Sequence, residues 1–156
     1  MPFSNKANRA YTLQFGGTAG SGSPTWADGA TFYIGAPGSG ATVAASSGYG
    51  TVDGYYSVFA PITGTITAFS FSMDTPSANS TSNEAGTLYV RIGTTDTSIA
   101  TDVIFSNSSG TGYVKTGAIS IAVTAGQEIR FKVVCPTWAT NPTNSYYFVG
   151  SMVVEY

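Results

Sequence analysis

Apolar residues recur at every second position along most of this chain and almost nowhere at the three-and-four spacing of a helix. Phe69, Phe71 and Met73 alternate with Ser70 and Ser72, and Leu88, Val90 and Ile92 alternate with Tyr89 and Arg91. Ile119, Ile121 and Val123 share one side of a third run, and Ile129, Phe131, Val133 and Cys135 stand opposite Arg130 and Lys132. Successive side chains of a strand point to opposite faces, so each such run predicts a strand with one buried face. Any window long enough for a helix is interrupted by glycine, proline or β-branched residues. The spacing predicts strands at Tyr11–Phe15, Thr31–Ile34, Tyr55–Phe59, Thr65–Met73, Thr87–Ile92, Ser98–Phe105, Tyr113–Val123, Glu128–Cys135 and Tyr146–Glu155. The stretches "SANSTSNEAG", "SNSSGTG", "VTAGQ" and "WATNPTN" between them have turn and loop compositions. Short strands at this spacing predict an all-β chain, an antiparallel β-sandwich or jelly roll. The final run, "YYFVGSMVVEY", is apolar on both faces, which predicts either a central strand or one face pressed on another subunit.

A chain of 156 residues is long enough for one domain with a single core. Residues 16–54 hold "GGTAGSGSP", "GAPGSG" and "SSGYG", too rich in glycine for a continuous sheet. Residues 1–29 therefore read as an extended Gly-rich N-terminal arm and residues 30–156 as the jelly-roll domain. Such an arm is expected to dock onto something larger than its own domain. Charged residues are only 9% while aromatics reach 13%, so low charge here does not signal disorder, and the polar surface must be mostly hydroxyl, amide and glycine. Six scattered basic residues offer no stripe to neutralise phosphates, which argues against nucleic acid as a partner. No apolar run approaches the ~20 residues that span a bilayer, and the N-terminus lacks the pattern of a signal peptide, so no membrane partner is expected. Cys135 lies in the apolar run "FKVVCP" and reads as a buried small hydrophobe. The sequons at Asn79 and Asn107 read as chance matches in a Ser/Asn-rich chain.

The chain contains no histidine, so Ser–His catalysis and His-based zinc sites are excluded. Its carboxylates, Asp28, Asp53, Asp74, Glu84, Asp96, Asp102, Glu128 and Glu155, stand in no recognisable catalytic spacing. "GAPGSG" lacks the lysine of a nucleotide cradle, and "DTPSANSTSNE" lacks the ordered acidic spacing of a calcium loop. No catalytic residue, metal site or cofactor is expected, and the chain does not read as an enzyme. Tyr55, Tyr56, Trp138, Tyr146, Tyr147 and Tyr156 have two readings: loop aromatics that stack on sugar rings, or core and subunit contacts.

From Tyr55 onward, "APITGTITAFSFSM", "AGTLYVRIGTTDTS", "ISIAVTAGQEIRFKVV" and "YYFVGSMVVEY" follow one another in an order that resembles a jelly-roll module of tailed-bacteriophage virion proteins. The resemblance implies a jelly roll like that of C1q or tumour necrosis factor, commonly assembled as a trimer. It implies either a capsid decoration (cement) protein or the tip of a tail fibre; the short arm and absence of a repetitive stalk favour decoration. The expected partners are further copies of the chain, the major capsid protein and, for a fibre tip, a host-surface glycan. The expected location is the virion, on the capsid surface or alternatively on the tail. On this reading Tyr146, Phe148, Met152, Val154 and Tyr156 form the trimer contact. Phe3, Arg9, Tyr11, Leu13 and Phe15 form the capsid-docking arm, and Trp138 and Tyr147 are the loop residues available for recognition.

Overall fold

A computed structural model of the chain describes residues 9–19, 26–37, 57–75, 83–110 and 112–156, together with the backbone of 44–45. These residues hold ten strands and no helix: β1 (Ala10–Ala19), β2 (Thr31–Ile34), β3 (Ala44–Ala45), β4 (Val58–Phe59), β5 (Gly64–Asp74), β6 (Ala85–Ile92), β7 (Thr95–Ile104), β8 (Tyr113–Val123), β9 (Glu128–Val134) and β10 (Tyr146–Glu155). They form two sheets. One is four-stranded in the order β1-β10-β5-β8; the other runs β3-β2-β9-β6-β7, with β4 also pairing β9. Every pairing is antiparallel. The architecture is the antiparallel sandwich of jelly-roll type that the alternation predicts.

The alternating pattern fixes which side of each strand meets the core. Phe32 and Ile34 of β2, Leu88, Val90 and Ile92 of β6, and Ile129, Phe131 and Val133 of β9 are buried. They face Phe15, Ile66, Phe69, Phe71, Met73, Phe148, Met152 and Val154 from the four-stranded sheet. Phe131 sits at the centre of this layer, its ring 5.0 Å from Phe15, 5.3 Å from Phe71 and 6.5 Å from Phe69. Gly150 of β10 leaves the space that ring occupies, because a Cβ added there would lie 2.5 Å from Phe131 Cε2. At one end of the sandwich the turns at residues 60–63 and 124–127 close on each other. The Gly126 N–H donates to Ala60 O at 2.8 Å, the Ala60 N–H donates to Gln127 O at 2.9 Å, and the Ala125 N–H donates to Thr63 Oγ1 at 3.0 Å. Gly126 has φ of 81°, the left-handed conformation that glycine adopts without strain.

The N-terminal segment differs from the expected arm. Residues 10–19 are strand β1, paired with β10 along their whole length from Ala10↔Glu155 to Ala19↔Tyr146. Phe15, Ala19 and Trp26 are buried in the core, and Tyr11 and Leu13 pack against it. Gly16 and Gly17 read as breakers, but here Gly16 allows the backbone to run close to Pro37, and its N–H donates to Gly35 O at 3.0 Å. The packed unit therefore includes residues 9–19 and 26–29. Of the predicted arm residues, Phe15 is core, Tyr11 and Leu13 lie against the core, Arg9 exchanges backbone hydrogen bonds with Tyr156, and Phe3 is outside the described residues.

Deletion of residues 1–29 is accordingly expected to destabilise the fold, since it removes a ten-residue strand, Phe15 and Trp26. Phe131→Ala should cost about 3–5 kcal/mol and Gly150→Ala about 1–3 kcal/mol, the first by opening a cavity and the second by overpacking. Urea unfolding of the three variants measures all of these losses.

Candidate functional site

Sandwich strands have an inner and an outer side, and the two outer sides of this molecule differ in chemistry. Across the four-stranded sheet the register aligns Thr12, Val153, Ala68 and Ala118 in one row. Gln14, Ser151, Ser70 and Thr116 form the next, and Gly16, Val149, Ser72 and Val114 the third. These positions carry no charge; Asp74 and Glu155 stand only at the ends of their strands. Val114 is 69% exposed, Val149 59% and Tyr147 49%. This is a level field of hydroxyls, alanine and valine with three apolar side chains held out to solvent.

On the opposite side of the molecule, β2, β9 and β6 place Tyr33, Lys132 and Tyr89 in one row and Arg130 beside Arg91 in the next. Two arginines directly opposite each other repel unless anions and aromatic faces compensate. Arg91 donates to Asp96 at 2.9 and 3.1 Å, and Lys132 donates to the same carboxylate at 2.6 Å. Arg130 pairs with Glu128, which also accepts from the Ser57 hydroxyl. The Tyr33 ring lies under both guanidinium groups, at 5.2 Å from Arg91 and 5.7 Å from Arg130, and Tyr89 lies under Lys132 at 5.1 Å. Burial pushes the Asp96 carboxyl up, but the hydrogen bond from Lys132 and the charge of Arg91 outweigh it and hold the group below the usual carboxylate value. This face carries an ionic network with aromatic support, and Phe59 and Ile104 are exposed on strands of the same sheet.

The gap between the edges of the two sheets is bridged by Asp102 of β7, which accepts from Lys115 at 3.0 Å and Tyr113 at 2.9 Å, both on β8. Those bonds lower the Asp102 pKa, while desolvation, followed by the bond to Asp102, raises that of Tyr113. Farther along the same side, Ile92, Thr95, Thr97, Ile121, Ala122 and Gln127 line a groove of about 170 Å³. Small-molecule pockets span roughly 300–1,000 Å³, so the groove has the size for one side chain. Among the described residues no three Cys, Asp or Glu side chains come together as metal ligands. Burial pushes the Cys135 thiol up, away from reactivity.

The structure redistributes the residues singled out from sequence. Tyr146, Phe148, Met152 and Val154 are fully buried in the core of their own chain, which corrects their assignment to a subunit contact. The physical reason is that β10 is an inner strand of its sheet, and the opposite face of that strand, with Tyr147, Val149, Ser151 and Val153, is the one available to a neighbour. Tyr156 is 46% exposed beside Tyr11. Trp138 is only 7% exposed and belongs to a cluster with Trp26, Phe105 and Tyr146 that plugs one end of the sandwich, so it is not a recognition residue. Its indole N–H donates to Ala27 O at 3.2 Å and its backbone N–H to Asp28 at 2.8 Å. Tyr147 is exposed as expected, on a strand rather than a loop. The ionic face was missed, although "TFYI", "TLYVRI" and "EIRFKVV" carry it in their alternation.

No family model matches the chain, and no curated protein matches it. Among solved structures it is similar to one of infectious bursal disease virus, Gx strain, with a TM-score of 0.50 and 13% identity over 96% of this chain and 32% of that one. A structure of the Gt strain gives a TM-score of 0.44 at 13% identity, over 96% of this chain and 33% of that one. The chain thus spans about a third of the length of the viral chains it resembles. At this identity the likeness is one of fold.

Trp138→Ala should lower stability by about 3–5 kcal/mol, whereas Tyr147→Ala should change it by less than about 0.5 kcal/mol, as read by denaturant titration. Asp96 and Asp102 have lowered pKa values, so the stability they contribute is complete above the unfolded carboxylate value of about 4 and is lost as pH falls through their folded values. Melting temperature should therefore be flat from about pH 5 to 8 and fall below about pH 4, with a shallower acid slope in Asp96→Asn.

Proposed function

We propose that this chain is a structural protein of a virus particle, specifically a capsid decoration protein of a tailed bacteriophage that binds the major capsid protein and stabilises the shell as a homotrimer. The observation that carries this reading is the asymmetry of the two outer faces. Networked charges and tyrosines suit the solvent side, while the uncharged field with Val114, Tyr147 and Val149 suits a protein surface, because it can be buried without desolvating charge. The fold likeness to a virus structure and the order of sequence elements both support it. With β1 built into the sandwich, attachment rests on this sheet face in place of an arm at residues 10–19.

A second reading, the receptor- or glycan-binding head of a tail fibre or spike, draws on Tyr147. Its exposed ring stands beside Thr18 and Asp74 in the register, a combination of aromatic face, hydroxyl and carboxylate that suits a sugar.

Cryo-electron microscopy of the particle tests location directly: density for the sandwich on the shell supports decoration, and density confined to the tail tip, or none, overturns it. Val149→Asp should leave the melting temperature nearly unchanged and weaken shell attachment at least about tenfold, since it would bury an unpaired charge. Normal attachment of that variant would exclude the uncharged face as the contact.

A further inference from the structure

The two sheets protect their edges unequally. Among the described residues the six-stranded sheet ends on one side in β3, described at Ala44–Ala45, and on the other in β7, which carries Asp96 and Asp102 and whose pairing with β6 slips twice. Short strands, edge charges and bulges are the devices that stop one sheet from pairing with another. The four-stranded sheet has fewer of them: its edge strands β1 and β8 are ten and eleven residues long, β1 carries no charge, and the pairing of β8 with β5 slips once, between Ile66 and Ala68. Its edge strand β8 runs eleven residues, "YVKTGAISIAV", without proline, and its one charge, Lys115, is held by Asp102.

Backbone directions follow from the registers. Arg9 and Tyr156 exchange both of their backbone hydrogen bonds, so Thr12 and Gln14 turn N–H and C=O away from β10. The Gly16 N–H, on that same side, donates to Gly35, which confirms the direction. Alternation carried across β10 and β5 turns the N–H and C=O of Val114, Thr116 and Ala118, which precede the shift in the β5–β8 register, away from β5. Among the described residues nothing pairs with either stretch.

We propose that these edges are two halves of one joint between copies, with β1 of one molecule lying antiparallel on β8 of the next. Three observations select a second copy as the occupant. Within the sheet β1 and β8 run in opposite directions, so repeating the molecule by rotation about an axis along the strands continues the antiparallel order unbroken. The side chains that meet, around Thr12 and Gln14 on one side and Val114, Thr116 and Ala118 on the other, bring no charge to the joint. The open stretch at residues 10–14 fits within the longer open edge of β8. Such a joint is heterologous and closes into a ring when the rotation permits. It rests on the proposed self-association and names its contact, and it leaves the outer sheet face free for the shell.

Sedimentation and light scattering of purified protein test the joint with Thr12→Pro and Thr116→Pro, each of which removes an N–H that no ladder bond uses. Wild type should form a ring at micromolar concentration. Each variant alone should be monomeric, and an equal mixture should give a complex that stops at two copies, because each partner retains one intact edge. If a proline variant fails to fold by circular dichroism, Thr12→Lys and Thr116→Lys, at exposed side chains, serve in its place with the same expectation. A monomeric wild type overturns the joint. So does a Thr12 variant that still assembles, which would indicate β8 pairing with itself or another surface, and so does a mixture that stays monomeric. Rings that form as described from a protein missing from the particle would refute the decoration reading and leave the joint standing.

Discussion

The contact between the Phe131 ring and the gap above Gly150 sets the spacing and phase of the sandwich. Phe131 projects from the middle of one sheet and Gly150 lies in the middle of the other. Any side chain at Gly150 would meet the ring or the Ser70 carbonyl, at 2.5 Å and 3.1 Å from the added carbon. Because side chains alternate, placing Gly150 inward also turns Phe148 and Met152 inward and Tyr147, Val149 and Ser151 outward. The outer surface is thus a consequence of one core contact. A register slip of one residue would bury Tyr147 and Val149 and expose Phe148 and Met152.

Strand existence was legible wherever one face is apolar and the other polar, as in β5, β6 and β9. Three things were not. The phase of β10 was ambiguous because "YYFVGSMVVEY" is apolar on both sides, and only the partner ring across the core decides it. The N-terminal strand was legible at Tyr11–Phe15, but its extension and its place in the sandwich were not, because Gly16 and Gly17 weaken the local signal and its partner lies more than a hundred residues away. Trp138 looked like a loop aromatic because "WATNPTN" has loop composition, yet its burial depends on Trp26, Phe105 and Tyr146 from three other segments. In each case the missing information is long-range packing, which local composition does not encode.

The same alternation explains why the outer faces differ. On the six-stranded sheet Arg91, Arg130 and Lys132 each lie over a tyrosine and beside a carboxylate, so the charges are mutually satisfied. On the four-stranded sheet the outward positions between the strand ends are uncharged, mostly serine, threonine, alanine and valine, which lose little when water is removed. A molecule with one face of each kind, one sheet with blunted edges and the other with open ones, is suited to contact on one sheet and solvent on the other. That division is the physical content of the proposed role in a virus particle.

Oxidative footprinting of tyrosines on the intact particle, compared with the free protein, tests that division most directly. Tyr147 should be protected on the particle while Tyr33 and Tyr89 react as they do in the free protein. Protection of Tyr33 and Tyr89 with Tyr147 still reactive would contradict the account, because it would put the ionic face against the shell and the uncharged face in solvent.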